Sequence, residues 1–233
     1  QNVINDSHKF TLGLNGTFDR FNENFIRKYW ILKVEEQGWN GSTNLANAGV
    51  FGEYTFHAGE KFSAIAGLRG DWFAQQGFKV SPRVTLKYMP IDEIVLRANG
   101  GRGLRYSTPL IDNIGVLSTG KQFTGAYDKH ILEDAWTVGG NITYYMPFGA
   151  SSNTYISFDY FRTQFAQQMV VDYEYSYDYN KIHFYPLNNN QSYTDNFQID
   201  FSVDPVERFN ITATFRYTNA KIELDGKGLV EKP

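Results

Sequence analysis

Phe10-Thr11-Leu12-Gly13-Leu14-Asn15-Gly16-Thr17-Phe18-Asp19 alternates without a break. Phe10, Leu12, Leu14, Gly16 and Phe18 fall on one side, and Thr11, Gly13, Asn15, Thr17 and Asp19 on the other. Successive side chains of an extended chain point to opposite faces, so a period of two makes a strand with one apolar and one polar face. The pattern returns over 48–56, 62–72, 84–88, 94–98, 136–144, 156–160, 197–203 and 209–217. No charged residue stands on any of these apolar faces, and no stretch of helix length carries a 3.6-residue period. The reading is therefore all-β: an antiparallel up-and-down meander of nine strands.

The connections separate into two sets. Short ones fall at 57–61, 90–93, 147–153 and 204–208, and mostly longer ones at 20–44, 73–81, 105–133 and 172–191. Short and long therefore sit at opposite ends of the meander, an asymmetry that transmembrane barrels share, with long outside loops near 20–44, 105–133 and 172–191. Ten residues rising about 3.3 Å each and tilted near 45° climb about 23 Å, close to the apolar band of a barrel in an outer membrane. Aromatic residues gather at strand ends, with Phe56, Phe62, Tyr88, Tyr144 and Phe148 by the short turns and Trp72 and Trp136 toward the long loops. Interfacial girdles belong at those heights, because an amphipathic ring prefers the headgroup level. A β-sandwich also alternates and also keeps its inner face free of charge. A soluble or surface β-sandwich that binds carbohydrate through its aromatics is thus the rival reading, with a passive porin as a third.

Composition narrows the chemistry. The 233 residues carry 22 Lys+Arg against 25 Asp+Glu, a net charge of −3 that offers no basic footprint for nucleic acid. Cysteine is absent, which removes thiol nucleophiles, disulfide scaffolds and zinc fingers. Aromatics reach 17%, with 19 Phe and 16 Tyr. No run approaches the ~18 consecutive apolar residues of a spanning helix. No leader pattern opens the chain, so any export signal is expected to be gone already or to lie outside it. An odd strand count and two bare outer strands suggest a piece of a longer polypeptide, because unpaired edges invite aggregation and leave backbone unsatisfied in lipid.

Several stretches resemble the barrel of TonB-dependent outer-membrane receptors, particularly those of the Bacteroidetes. They are Asn47-Ala48-Gly49-Val50-Phe51-Gly52-Glu53-Tyr54, Ala66-Gly67-Leu68-Arg69-Gly70-Asp71 and Ser81-Pro82-Arg83-Val84. Next come Leu96-Arg97-Ala98-Asn99-Gly100-Gly101-Arg102-Gly103-Leu104-Arg105, with Pro109 beyond it, and Glu133-Asp134-Ala135-Trp136-Thr137-Val138-Gly139. Their order and spacing carry the likeness, over roughly 44–221. It implies that residues 1–233 are one partial receptor barrel, cut from about 22 strands around a plugged lumen. It also implies a bacterial outer-membrane transporter and not an enzyme, importing a scarce solute such as an iron chelate, haem, cobalamin or a glycan. Energy would come from the TonB–ExbB–ExbD complex pulling on a plug. The 233 residues hold no plug, TonB box or barrel closure. Implied partners are outer-membrane lipid, that complex, the imported solute and a surface lipoprotein; no cofactor is implied.

Motifs of enzyme chemistry are missing: there is no His-Glu-x-x-His, no Gly-x-Ser-x-Gly and no Walker loop. His8, His57, His130 and His183 show no metal spacing, though the last two lie in or beside long loops where an iron or haem ligand would pass. Polar-face charges such as Glu53, Arg69, Asp71, Arg97, Asp159, Asp200 and Arg216 read as a cross-paired, solvated wall. The candidate ligand-binding residues are Arg102, Arg105 and Tyr106, where a strand runs into the 105–133 loop. The planar guanidinium fork suits carboxylate or phosphate, and the bland reading of the same residues is a loop anchor. Tyr173-Glu174-Tyr175-Ser176-Tyr177-Asp178-Tyr179 with Asp172 reads as a solvated loop, and its alternate oxygens lack the EF-hand pattern for Ca²⁺.

Overall fold

The computed structural model describes residues 2–5, 7–27, 37–147, 154–174, 180–187 and 191–232. The strands are β1 (Asn2–Asn5), β2 (His8–Arg27), β3 (Gln37–Ala58), β4 (Phe62–Phe73), β5 (Gly77–Ile91), β6 (Ile94–Tyr106) and β7 (Gln122–Gly125). They continue as β8 (Leu132–Tyr145), β9 (Tyr155–Gln167), β10 (Met169–Asp172), β11 (Lys181–Pro186), β12 (Ser192–Val206), β13 (Phe209–Leu224) and β14 (Gly228–Glu231). One short helix, α1 (Pro109–Asp112), and a 3₁₀ turn (Ile114–Ser118) precede β7. Eleven strands form one antiparallel sheet in the order β1-β2-β3-β4-β5-β6-β8-β9-β12-β13-β14, and this sheet does not close on itself. All nine expected strands are in it, neighbour beside neighbour in chain order. The other three make a small sheet, β10-β11-β7, in which β11 and β7 run parallel.

The apolar face of the large sheet is bare. Leu14 is 84% exposed, Leu86 39%, Phe158 41% and Phe215 60%. Among the described residues no second sheet covers this face, so the sandwich reading fails: a sandwich core would bury these side chains. Girdle rings lie where strand ends placed them. Trp72 pairs with Phe78 toward the long-connection end, and at the other end Phe56 meets Phe62 edge-on at 6.4 Å. Phe148 lies outside the described residues.

The polar face is cross-linked. Asn141 donates to Ser157 (2.6 Å) and Asp159 (2.9 Å) and accepts from Arg97 (3.1 Å). Farther along, Thr214 and Gln198 both donate to Asp200, and Arg216 donates to Gln198. Ladders of this kind satisfy polar groups across neighbouring strands. Gly139 on this face leaves room for the next strand, because a Cβ there would sit 2.3 Å from the Tyr160 carbonyl oxygen.

Two strand boundaries differ from expectation. The connection placed at 20–44 is mostly strand: β2 runs to Arg27, and β3 begins at Gln37. The one placed at 73–81 is a tight turn, with Gln76 N–H donating to the Phe73 carbonyl and Gly77 at φ +74. The first error has a physical cause, a reversal of polarity between the faces. Up to the Phe18–Ala46 rung the apolar residues other than Phe51 stand on one face. Beyond it that face carries Arg20, Asn22 and Asn24 opposite Asn44, Ser42 and Asn40, while Phe21, Phe25 and Trp39 stand on the other. Both halves alternate, but in opposite phase, so a reading that follows one face stops where the pattern only inverts.

The inverted end packs on a core. Leu110, Val116, Phe123, Met169, Ile182 and Phe184 cluster and take Phe25 and Trp39 from β2 and β3 against them. On the other side of the small sheet, Val170, Tyr185 and Leu187 pack with Ile222, Leu224 and Val230 of β13 and β14. The small sheet is thus wedged between the two flanks of the large one. The connections that carry it, 107–131 and 168–191, hold α1, the 3₁₀ turn, β7, β10 and β11.

Two outcomes follow. Leu86→Arg is expected to destabilise the membrane-inserted state by about 2–4 kcal/mol, whereas Thr85→Arg, on the polar face, is mild; folding titrations into vesicles measure both. Gly139→Ala is expected to destabilise by about 1–3 kcal/mol through backbone overlap, and Gly100→Ala by much less, read from unfolding in detergent.

Candidate functional site

The three candidate residues close the top of β6 and share one cavity of about 420 Å³ with Phe21, Phe73 and the Arg69–Asp71 pair. Backbone pairing explains the convergence. Antiparallel register sets Arg105 opposite Glu133 and Tyr106 opposite Leu132. On the neighbouring wall Gly49 stands between Asn15 and Asp71 in the same rung. A Cβ at Gly49 would lie 2.1 Å from the Asp71 carboxylate, so the missing side chain is what lets Asp71 bury. Arg69 then grips Asp71 with two bonds, at 2.6 and 2.9 Å.

Arg102 is an anchor. Its Nε and one terminal nitrogen hold Asp134 at 2.9 and 2.6 Å, and the other terminal nitrogen donates to the Val80 carbonyl at 2.9 Å. Such a bidentate pair fixes orientation as well as charge. Arg105 is different. Its Nε donates to Glu133 at 2.8 Å, its contact with Asp112 is a long 3.4 Å, and its side chain is 64% exposed. Desolvation works against its charge, but hydrogen bonding and attraction from Glu133, with attraction from Asp112, outweigh this and leave its pKa raised. The guanidinium is a permanent cation facing open space.

Both carboxylates beside Arg105 are structural as well. Asp112 accepts from Thr108 N–H and Oγ1, both at 3.0 Å, which ties α1 back on its own start. Glu133 accepts the Met169 N–H at 3.1 Å and so pins β10 to the wall. Tyr106 packs its ring edge-on to Phe73 at 5.5 Å, and its hydroxyl is buried without a hydrogen-bond partner. An unmet buried hydroxyl costs about 1–3 kcal/mol, which a polar ligand group or water reaching it would relieve.

Arg105 also borders a second cavity, of about 830 Å³, between β10 and the β13–β14 edge. Its apolar lining includes Met169, Val170, Ile222, Leu224 and Val230, with Lys232 at the margin. Desolvation pushes the Lys232 ammonium below the usual lysine range, and Arg105 adds to the effect while Glu133 opposes it. The two volumes lie within or near the range of small-molecule sites.

The other expectations fall as follows. His130 is buried, stacks on Phe21 at 6.0 Å and meets the Ser107 carbonyl oxygen through Nδ1 at 2.9 Å. His183 contacts Thr124 Oγ1 through Nδ1 at 3.0 Å. His130 is thus shut off from open space, whereas His183 is half-buried. Among the described residues no three His, Asp or Glu side chains converge as metal ligands. Asp172, read as part of a solvated loop, is 4% exposed and grips Lys227 at 2.8 and 3.0 Å. Residues 175–179 of the tyrosine tract lie outside the described residues. Sequence reading missed Phe21, Phe73, Asp112 and Glu133 as site neighbours. Of these, Glu133 was open to detection once β6 and β8 were taken as neighbours.

Among the described residues no helix is long and apolar enough to cross a membrane, which leaves crossing by strands untouched. No curated protein matches the chain in sequence. Solved structures do match in fold. The copper transporter OprC is 15% identical at a TM-score of 0.66, over 96% of this chain and 37% of that one. A ferric enterobactin receptor, PfeA from Pseudomonas aeruginosa, is 14% identical at 0.61, over 94% of this chain and 37% of that one. The siderophore receptor PirA from Acinetobacter baumannii is 13% identical at 0.62, over 92% and 35%. The chain therefore spans little more than a third of the length of these relatives. The TonB-dependent receptor-like β-barrel family model matches residues 2–230, and the chain belongs to that family.

Proposed function

We propose that this chain is wall and mouth of an outer-membrane transporter that imports a scarce solute, an iron chelate, haem, cobalamin or a glycan. The bare apolar face carries the proposal. Side chains such as Leu14 and Phe215 stand uncovered in a sheet with every central strand paired, and hydrocarbon is the medium that suits both facts. The polar face borders the lumen, and the wedged small sheet narrows the mouth above it. Uptake is energised by TonB with ExbB and ExbD, since an outer membrane holds no nucleotide pool or ion gradient of its own. The whole barrel spans 1–233 and further strands, is of Bacteroidetes type by the order of its motifs, works with a surface lipoprotein, and carries out no catalysis.

Solute contact falls to Arg105 and Tyr106, with Arg102 holding the strand end in place. The open guanidinium meets a carboxylate or phosphate of the solute, and the Tyr106 hydroxyl gains the partner it lacks. Names of the matched structures mention siderophores and copper, and they leave the present solute open.

The test uses the full-length protein in cells that depend on it for uptake, with ferric chelates, haem, cobalamin and oligosaccharides supplied in turn. Uptake of one of them that stops when a protonophore collapses the inner-membrane gradient is the expected result; uptake that continues marks a passive pore. For that solute, Arg105→Ala is expected to weaken binding by about tenfold to a hundredfold, and Arg105→Lys by less. Unchanged affinity in Arg105→Ala would return the residue to a loop anchor.

A further inference from the structure

On the polar face, β4, β5 and β6 carry Arg69, Lys79, Arg83, Lys87, Arg97 and Arg105 against one carboxylate, Asp71. Arg69 grips that carboxylate, and Lys79 stands opposite it on the next strand. Arg105 has Glu133. Arg83, Lys87 and Arg97 make no ion pair with another described residue. Arg83 and Arg97 are exposed, and Lys87 is half-buried. Lys79, Arg83 and Lys87 recur at every fourth residue of β5, so they form a file along the strand. Arg83 lies opposite Gly101, four residues along β6 from Arg105. At about 3.3 Å per residue, the levels of Arg105, Arg83 and Lys87 are about 13 Å apart.

Two features separate these cations from an ordinary cross-paired wall. Lys87 faces Arg97 directly across the ladder, and like charges so placed repel. The same rung continues through Asn141, Asp159, Gln198 and Arg216, and from Arg97 onward every member bonds to a neighbour in it. Lys87 takes no part. On that far side neutral donors satisfy the carboxylates: Asn141 and Ser157 hold Asp159, and Gln198 and Thr214 hold Asp200. Those bonds keep both acids on their own part of the sheet, away from β5. The second feature is room. Gly67 and Gly101 flank Arg83 in its rung, so no Cβ shields the guanidinium on either side. The next carboxylate in that rung, Glu53, stands two strands away beyond Gly67, about 10 Å at the backbone.

We infer that Arg83, Lys87 and Arg97 form a basic relay on the lumen wall, which takes the anionic groups of the imported solute from Arg105 toward the short-turn end. The inference rests on the transporter reading above and narrows it: the solute carries a net negative charge. Arginine and lysine side chains select anions in pores, and conduction requires binding that is weak enough to let go. Exposed cations without a fixed partner meet that requirement, because water screens what they bind. Lys87 and Arg97 together offer one oxyanion a planar fork and a mobile ammonium. An acidic protein segment is the other occupant that cations attract. A file along the strand, bordered by glycine and continuous with the Arg105 cavity, suits a solute that moves better than a segment that stays.

The test follows uptake by full-length protein in cells supplied in turn with a ferric tricatecholate, haem, a ferric trihydroxamate, cyanocobalamin and a neutral oligosaccharide. The imported probe is expected to be one of the first two, which are anions. Import of one of the last three, which have no net charge, would overturn the relay and leave the transporter reading intact. For the imported anion, the triple variant Arg83→Gln, Lys87→Gln, Arg97→Gln is expected to slow uptake about tenfold while the affinity of purified protein stays as in wild type. Arg83→Lys with Arg97→Lys keeps the charges and is expected to keep most of the rate. Lys87→Gln alone removes one of two facing like charges, so it does not burden folding, and is expected to slow uptake about threefold. Heat-modifiable gel migration confirms that each variant is folded. Wild-type uptake by the triple variant overturns the relay. Wild-type uptake together with entry of a large glycopeptide antibiotic also overturns it, and assigns the cations to an acidic segment inside the barrel. Wild-type protein that imports none of the probes under an intact gradient overturns both readings.

Discussion

An extended apolar surface that no protein covers has to be covered by something else, and the rest of this structure depends on that constraint. Leu12, Leu14, Phe18, Val50 and Leu68 are all more than half exposed on a single sheet face. In water such a surface would drive association, because each buried Å² of apolar area is worth roughly 25 cal/mol. In hydrocarbon the same side chains are at home, but the backbone then has no solvent to bond with. Each N–H and C=O must find a neighbouring strand, which is why the large sheet is an unbroken ladder from β2 to β13. Strand length obeys the same constraint, with β2 to β6 all exceeding the usual soluble length of about 5–6 residues.

The medium also explains the inversion of faces. Below the Phe18–Ala46 rung the apolar residues of β2 and β3 other than Phe51 point away from the polar face; above it Phe21, Phe25 and Trp39 stand on the polar-face side, and the last two pack against the small sheet. A strand that leaves hydrocarbon for water loses its reason to present apolar groups outward. It gains one to present them inward when folded loops lie there. The rung of reversal therefore marks a level along the strands that no single side chain could mark.

Above that level the connections are structured domains in miniature. Val170, Ile182 and Phe184 are fully buried within them, and Glu133 and Asp172 bind them to the wall and to the β13–β14 turn. Arg105 stands where this packing meets the open cavities. Its neighbours are spent on structure, and its own charge is only partly spent. That division separates it from Arg102, whose three guanidinium nitrogens are all engaged.

By itself the sequence determined the period-two strands, their apolar faces and their order in the meander, because alternation is a local property and antiparallel neighbours follow one another along the chain; the family was legible separately, as a resemblance carried by the order of motifs such as 96–105 and 133–139. It also drew attention to the end of β6, where Arg102, Arg105 and Tyr106 cluster within five positions. Only the tertiary structure decided which arginine is tied down, since Asp134 and Val80 reach Arg102 from other strands. The small sheet was decided the same way: β7 and β11 pair in parallel across more than fifty residues, and short apolar runs inside long connections carry no period to read. The extension of β2 and β3 lay in between. Its residues alternate as plainly as those below, but their phase depends on the medium outside and the loops inside, and neither is written into ten consecutive residues.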